Sequence, residues 1–201
     1  MTYVIGTQVR ASDPAAMRDN IGKLVRPKLT DAGAQYVAGF EARIGGEVGD
    51  FVVGSRWDSV DQGLSVLAAF YEDPEVQDAL AASPVEVTGR ILARVQGEGG
   101  SPQGAYALGV VATMATPDND RLPAMMDDLT AHISAHGCNG ARMMQSLIAG
   151  EGIGSWTTLL YTDSVDGALQ AIAATYENSA MMEHFAALGI QILGRTLVES
   201  I

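Results

Sequence analysis

The sequence predicts an α+β protein built from two consecutive copies of one β-α-β-β-α-β unit. Three observations indicate this: an internal repeat, a glycine-rich segment between the copies, and the same order of strand and helix patterns in each copy. The chain has 201 residues, of which 47% are hydrophobic and 18% are charged, which is typical of a globular protein. Each copy therefore has about 100 residues, a usual domain size.

The internal repeat is clearest between residues 58–90 and 163–195. At this offset of 105 residues, the two segments share 13 identities in 33 positions without a gap, where chance would give about two or three. Tyr71-Glu72 and Gly89-Arg90 are among the residues that recur. The amino-terminal parts of the copies align at an offset of 103, so the second copy carries a two-residue insertion.

The boundary between the copies is predicted from composition. Residues 96–104 hold four glycines and one proline and have no apolar side chain to bury. We therefore expect one domain over residues 1–96, a flexible linker over 97–104 and a second domain over 105–201.

The first copy begins with a β-branched, apolar stretch at 3–9, which predicts a strand. Asp13 and Pro14 then supply an N-cap and a first-turn proline for a helix that Pro27 should kink and Gly33 should end. Two strands follow at 34–44 and 50–57, separated by a glycine-rich turn.

The remaining elements of the first copy are two helices and a strand. Ser59 and Gln62 form a capping box that opens a helix, and Asp73-Pro74 opens a short helix to residue 82. A last strand is predicted at 85–95. The second copy repeats the order, with strands at 106–114, 141–148, 154–162 and 190–198, and helices at 120–136, 164–175 and 179–187.

This element order is that of the ferredoxin-like unit, a four-stranded antiparallel sheet with both helices on one face. Two such units in one chain, each with an extra helix before the last strand, resemble the dimeric α+β barrel superfamily. The resemblance spans nearly the whole chain and rests on element order. It implies that the bare faces of the two sheets pack together, sheet to sheet, as a single-chain α+β barrel.

The resemblance also implies a range of activities. The superfamily includes cofactor-free monooxygenases of small aromatic polyketides, heme-degrading enzymes and chlorite-dismutase-like heme proteins, so the fold leaves the activity open. The monooxygenase and heme-degrading groups use an Asn, a Trp and an Arg or His in a pocket between helix and sheet. Here Asn20 lies on the first helix and Trp57 ends the third strand, and neither has a counterpart in the second copy.

Composition excludes several functions. With 12 basic and 24 acidic residues, the net charge of −12 argues against general binding to nucleic acid or to anionic membranes. The single cysteine excludes a disulfide framework, and no signal peptide or membrane-length apolar run is seen. We expect a cytoplasmic protein with a small-molecule ligand, and association into a homodimer stays open.

The sharpest candidate ligands are His132 and His136, one helical turn apart in a stripe with Met125 and Leu129. Two such imidazoles can bind a metal ion, and one can ligate heme iron. No third ligand is evident, so helix-end or cleft histidines are the favoured interpretation. No cofactor is favoured overall, with heme as the alternative.

Methionine is concentrated in the second copy, which holds seven of the nine. Met125 and Met143 are candidate lining residues of an adaptable pocket, a role favoured over copper(I) ligation. Since adjacent strand residues face opposite ways, Met143 and Met144 cannot share one site. The divergence of the copies in His and Met content points to the second copy as the place of any site.

The first copy offers Tyr36, Arg43 and Trp57 on its middle strands, together with Phe40 and Arg56. An aromatic cleft with an arginine suits a planar acidic or phenolic ligand, although ordinary sheet residues are the favoured interpretation.

The arginines of the repeat, Arg90 and Arg195, could anchor an acidic ligand. Because both copies keep them, structural ion pairs with nearby carboxylates of the same copies are favoured. The candidates are Asp58 and Asp163, or Glu72 and Glu177.

Three functions follow from these observations. The first is binding or transformation of a small apolar or aromatic molecule in a helix-sheet cleft, similar to the cofactor-independent monooxygenases. The second is a heme or metal protein that uses His132 or His136. The third is a non-catalytic module for oligomerisation or interaction.

Overall fold

The structure is a computed structural model that describes residues 1–47 and 49–201. Eight strands form one antiparallel sheet that closes into a barrel. They are β1 (Tyr3–Ala11), β2 (Tyr36–Ile44), β3 (Asp50–Trp57), β4 (Val85–Gly100), β5 (Tyr106–Met114), β6 (Cys138–Ile148), β7 (Trp156–Thr162) and β8 (Ile190–Ser200).

The helices lie outside the barrel, between consecutive strands. They are α1 (Pro14–Asn20), α2 (Arg26–Asp31), α3 (Val60–Glu72), α4 (Pro74–Ala82), α5 (Arg121–Ser134), α6 (Val165–Glu177) and α7 (Ser179–Leu188), with a short 3-10 helix at Gly150–Gly152. In the part of the chain that the structure describes, none of these helices is both long and apolar enough to span a bilayer.

The order of strands around the barrel is β1-β3-β2-β8-β5-β7-β6-β4. Each half of the chain thus contributes four strands in the same order, β4-β1-β3-β2 from the first half and β8-β5-β7-β6 from the second. The two sheets, which we expected to pack face to face, join edge to edge through the pairs β2–β8 and β4–β6. This joining gives hydrogen-bond partners to edges that would otherwise be unpaired.

The glycine-rich segment is not a linker throughout, because residues 97–100 continue strand β4 and pair with β6. The irregular connection is confined to residues 101–105. A Cβ atom on Gly97 would lie 2.8 Å from Cγ of Met126 in α5, and one on Gly99 would clash with Thr130. The glycines here let helix α5 approach the strand, so their abundance reflects close packing instead of flexibility.

The first helix is continuous across the predicted kink at Pro27. Between α1 and α2 the backbone forms a π-helical segment, Ile21–Val25, and the N–H of Arg26 donates to the carbonyl of Ile21. This wider turn accommodates a proline that has no N–H to donate. The helix ends as predicted, with Gly33 at a φ of +100°.

In each half, the cap of the short helix also binds the first helix. Asp73 accepts from the N–H groups of Glu75 and Val76 at 2.9 and 3.3 Å, and its second oxygen accepts from Lys28 Nζ at 2.8 Å. Asn178, the counterpart of Asp73 at the offset of 105, caps α7 in the same way, and its Nδ2 lies 3.2 Å from Nδ1 of His132 in α5. We call this shared feature the cap tether.

Three apolar clusters hold the barrel together. Two lie on its outer face, one under the helices of each half, and include Trp57 and Ile21 in the first half and Ile133 and Met181 in the second. The third lies in the barrel lumen and contains Ala38, Phe40, Ala107 and Tyr161. Potential ligand space is therefore found both under the helices and inside the barrel.

Candidate functional site

A large space under the helices lies in the first half, between the outer face of β1, β3 and β4 and the helices α1 to α4. We call it cleft one. It encloses a cavity of about 400 Å³, and its apolar lining includes Met17, Leu24, Leu67, Phe70, Val76 and Leu80. The π-helical segment contributes Leu24 and Val25 to this lining, and Asn20, the last residue of α1, lines the cavity beside them.

A few polar groups accompany this apolar lining. Thr7 and Ser55 come from the sheet, Asn20 from the first helix, and Tyr71 and Arg90 stand where α3 and β4 meet the cavity. The guanidinium carbon of Arg90 lies 5.1 Å from the centroid of the Tyr71 ring, within the range of a cation–π contact. The site can thus enclose an apolar body and present a cation to an acidic or phenolic oxygen.

The equivalent space in the second half, cleft two, is nearly filled. Its cavity is about 90 Å³, and its lining includes Met125, Met143, Trp156, Ile172, Met181 and Phe185. At the offset of 105, Val76 corresponds to Met181 and Leu80 to Phe185, so the short helix carries larger side chains in this half. Phe70 of α3 corresponds to the smaller Thr175 of α6, so the longer helix does not account for the filling. The larger side chains of α7 therefore fill cleft two.

The repeated arginines bind tyrosines, not the carboxylates that we expected. Arg195 lies 5.9 Å from the ring centroid of Tyr176 and donates a hydrogen bond to its hydroxyl. Arg90 and Tyr71 form the corresponding pair in the first half. The carboxylate of Asp163 instead accepts from the amide of Asn139 and the backbone of Ala105. The repeat therefore preserves an arginine–tyrosine pair at the edge of each cleft.

The structure brings together two of the predicted site residues, since Met125 and Met143 both line cleft two. Met144 faces the lumen, as the alternation along β6 requires. Leu24, Val76 and Leu80 of cleft one were not singled out from the sequence. A comparison of the two copies, position by position, would have found the last two.

The aromatic set of the first copy is divided between the two faces of the sheet. Tyr36 lines the lumen. Arg43 lies on the outer face of β2, where it pairs with Glu199 and, at 3.1 Å, with Glu41. Trp57 is 0% exposed in the core under α3, borders neither cleft, and donates from Nε1 to Ser55 Oγ at 2.8 Å.

The two candidate histidines lie at a helix–helix contact, not in a cleft. Nε2 of His132 is 3.3 Å from the carbonyl oxygen of Ala171 in α6, and its Nδ1 faces Asn178. Nδ1 of His136 lies 2.8 Å from the carbonyl oxygen of His132, and the two ring centroids are 4.7 Å apart. The imidazole of His132 thus joins α5 to α6 and to the cap of α7, and the ring of His136 packs against it.

Heme ligation by these residues does not fit this arrangement. An axial imidazole needs a free ring nitrogen that faces a cavity wide enough for the porphyrin. Both ring nitrogens of His132 have partners, and neither His132 nor His136 lines cleft one, cleft two or the lumen. Nε2 of His184, the third histidine, lies 2.9 Å from Asp128. Within the described residues, no three His, Cys, Asp or Glu side chains group as a metal site.

Comparison with known proteins identifies the fold. No family model and no curated protein matches the sequence. A chlorite dismutase variant from Candidatus Nitrospira defluvii has a TM-score of 0.62 at 11% identity, over 100% of this chain and 91% of its own. A heme-binding protein from Thermus thermophilus has a TM-score of 0.59 at 11% identity, over 100% and 91% of the two chains.

A candidate monooxygenase from Fusobacterium nucleatum has a TM-score of 0.53 at 10% identity, over 99% of this chain and 91% of its own. The chain therefore has the mixed α+β fold of monooxygenase-like and chlorite dismutase-like proteins. At these identities, the similarity shows the fold alone.

Proposed function

We propose that this protein binds a small, mainly apolar aromatic molecule in cleft one and that Arg90 faces a phenolic or acidic oxygen of that molecule. The observation that carries the proposal is the cavity itself, at about 400 Å³. This volume lies within the range of roughly 300–1,000 Å³ for small-molecule sites, which also combine an apolar lining with a few polar groups. The filled cleft two shows that this fold does not require an open cavity at this position.

The position of Arg90 supports a phenolic ligand. Its positive charge favours a phenolate over a phenol. Tyr71 orients this cation from one side, and Asn20 offers an amide to the cavity from the first helix. A phenolate bound in this way is electron-rich and reacts more readily with dioxygen.

We infer a cofactor-independent, monooxygenase-like activity as the finer form of this proposal. The ligand itself supplies the electrons: a naphthol and one dioxygen yield a naphthoquinone and one water. The shared strand order of the two halves supports their assignment as ferredoxin-like repeats of the dimeric α+β barrel superfamily. The resemblance to that superfamily, with its monooxygenases, supports the reaction class.

The test is titration of the protein with 1-naphthol, followed by the fluorescence of the ligand. We expect one site per chain and a loss of affinity of about tenfold or more in Arg90→Met, because a charge-assisted hydrogen bond contributes about 1.5–3 kcal/mol. Arg195→Met, the matched change at cleft two, should alter the affinity less than twofold. An oxygen electrode then tests whether dioxygen is consumed.

Equal affinities in wild type and Arg90→Met would contradict the role of Arg90. The absence of saturable binding would contradict the site as a whole. Binding without consumption of dioxygen would contradict only the oxidation, and would leave a binding protein.

A further inference from the structure

The barrel lumen contains a further cavity, separated from both clefts by the sheet. Its volume is about 400 Å³. Much of its wall is apolar and comes from both halves of the chain, with Val4, Ala38, Phe40, Val52, Leu159 and Val198 among the lining residues. An eight-stranded barrel is just wide enough to hold side chains or one small ligand.

Two arginines and one carboxylate lie together on the lumen side of the sheet. Arg56 of β3 and Arg142 of β6 both line the cavity. Arg56 donates to Glu98 of β4 at 2.8 Å, and Nε of Arg142 donates to the other oxygen of the same carboxylate. Two guanidinium groups thus share one carboxylate, which leaves one positive charge without a counter-ion in this cluster.

The environment of this charge is largely buried. The side chain of Arg142 is only 6% exposed, and its guanidinium carbon lies 4.7 Å from the ring centroid of Tyr36 and 5.9 Å from that of Tyr161. Burial by itself raises the pKa of Glu98, but the hydrogen bonds and charges of Arg142 and Arg56 outweigh it and hold that pKa below its usual value. Glu98 is therefore already ionised at neutral pH. It supplies one negative charge to the cluster and has no second one to offer.

One polar atom of the arginine pair and one of a neighbouring tyrosine also have no hydrogen-bond partner. Among the described residues, neither Nε of Arg56 nor the hydroxyl of Tyr161 makes a hydrogen bond, although both atoms are buried. Asp50, a carboxylate among the lining residues of the cavity, pairs with Arg10 at 3.0 Å and so does not balance the cluster. An unpaired charge in a largely apolar cavity is costly unless a counter-ion joins it.

We propose that the lumen binds one amphipathic carboxylate, an apolar chain that carries a single carboxylate group. The carboxylate pairs with Arg142 and Arg56, whose planar forks match its two oxygens. The apolar chain lies along the lumen toward Gly45 and Gly46, which line the cavity at the β2–β3 turn. A dianionic phosphate fits less well, because the cluster carries only one uncompensated charge.

Isothermal titration with octanoate near pH 7 tests the proposal. We expect one site per chain, and at least tenfold weaker binding of 1-octanol, which has the same chain without the charge. Arg142→Met should weaken octanoate binding at least tenfold and still leave Glu98 paired with Arg56. If that variant fails to fold, Arg56→Met removes the same net charge and leaves the pair of Glu98 and Arg142.

The matched control is Arg43→Met, which removes an arginine from the outer face of β2 and should change the affinity for octanoate less than twofold. Octanoate should also leave the affinity for 1-naphthol unchanged, since the two ligands occupy opposite faces of the sheet. No octanoate binding, equal affinity in Arg142→Met, or displacement of 1-naphthol by octanoate would each overturn the proposal. Failure of 1-naphthol to bind would contradict the proposed function of cleft one but not the proposal for the lumen.

Discussion

The two helix–sheet clefts occupy equivalent places in the two halves of the chain but differ more than fourfold in cavity volume, at about 400 and about 90 Å³. Both keep an arginine–tyrosine pair at the edge, and both lie under a short helix tied to the first helix by the cap tether. The difference lies in what the short helix inserts, Val76 and Leu80 in one half and Met181 and Phe185 in the other. Cavity volume thus differs between two halves that share one strand order.

Comparing the two clefts also shows which features belong to the fold and which could mark a ligand site. The arginine–tyrosine pair occurs beside an open cavity and beside a filled one, so its presence does not identify a ligand site. Open volume next to the pair is what distinguishes the first half. The filled half therefore serves as an internal reference for every test of the open half.

The largest effect should come from closing cleft one. In Val76→Met/Leu80→Phe, the side chains of cleft two are placed at the matching positions of α4, so we expect them to fill the cavity and reduce the affinity for 1-naphthol by about 100-fold or more, roughly 2.7 kcal/mol. Titration of the variant measures this loss. A thermal melt close to that of the wild type would show that the fold is intact, and unchanged affinity would place the ligand elsewhere.

The reciprocal change should open cleft two at a cost in stability. Met181 is 0% exposed, and truncation of buried side chains removes apolar contacts and leaves a cavity. We expect Met181→Val/Phe185→Leu to lower the free energy of unfolding by about 2 kcal/mol, measured in urea. A second 1-naphthol site per chain would make the two clefts functionally equivalent. Unchanged stability would mean that α7 does not fill the cleft.

The smallest effect concerns the cap tether, which carries a carboxylate in the first half and an amide in the second. The hydrogen bond from Lys28 holds the pKa of Asp73 below its usual value, with help from the backbone N–H groups of Val76 and Glu75. The stabilisation is therefore present above the ordinary carboxyl pKa and is lost as the pH falls through the lowered pKa.

Asp73→Asn should accordingly destabilise the protein near pH 7 and have a smaller effect near pH 3, as measured by urea unfolding at both pH values. Lys28→Met removes the partner, so adding Asp73→Asn to it should change the pH dependence little. Equal destabilisation by Asp73→Asn at both pH values would show that the lysine contributes nothing to the tether.

Much of the fold could be predicted because local signals and the repeat agree. The cap at Asp13, the end of the first helix near Gly33 and the opposite faces of Met143 and Met144 all follow from local chemistry. The extension of β4 to Gly100 could not be predicted in this way. The requirement for glycine there comes from α5, a neighbour that follows much later in the chain.

The candidate site could be predicted only in part. Asn20 was noted on the first helix, and the structure places it in cleft one. Sequence alone could not show that Trp57 is a core residue or that His132 serves the cap tether, because both depend on tertiary contacts. The lumen cluster of Arg56, Glu98 and Arg142 draws its residues from three strands in both halves of the chain. No local sequence pattern therefore predicts it.

The closure of the barrel has a consequence for synthesis of the chain. Phe40 in β2 lies opposite Ser200 in β8, and the N–H of Ile201 donates to the carbonyl of Gly39 at 2.9 Å. As the chain leaves the ribosome, β4 therefore lacks one of its two partners until β6 has emerged, and β2 lacks one of its two until β8 has emerged. During that interval the nascent protein presents two open strand edges, which are templates for misassociation. The time between translation of β4 and translation of β8 is thus the period in which a chaperone would matter most.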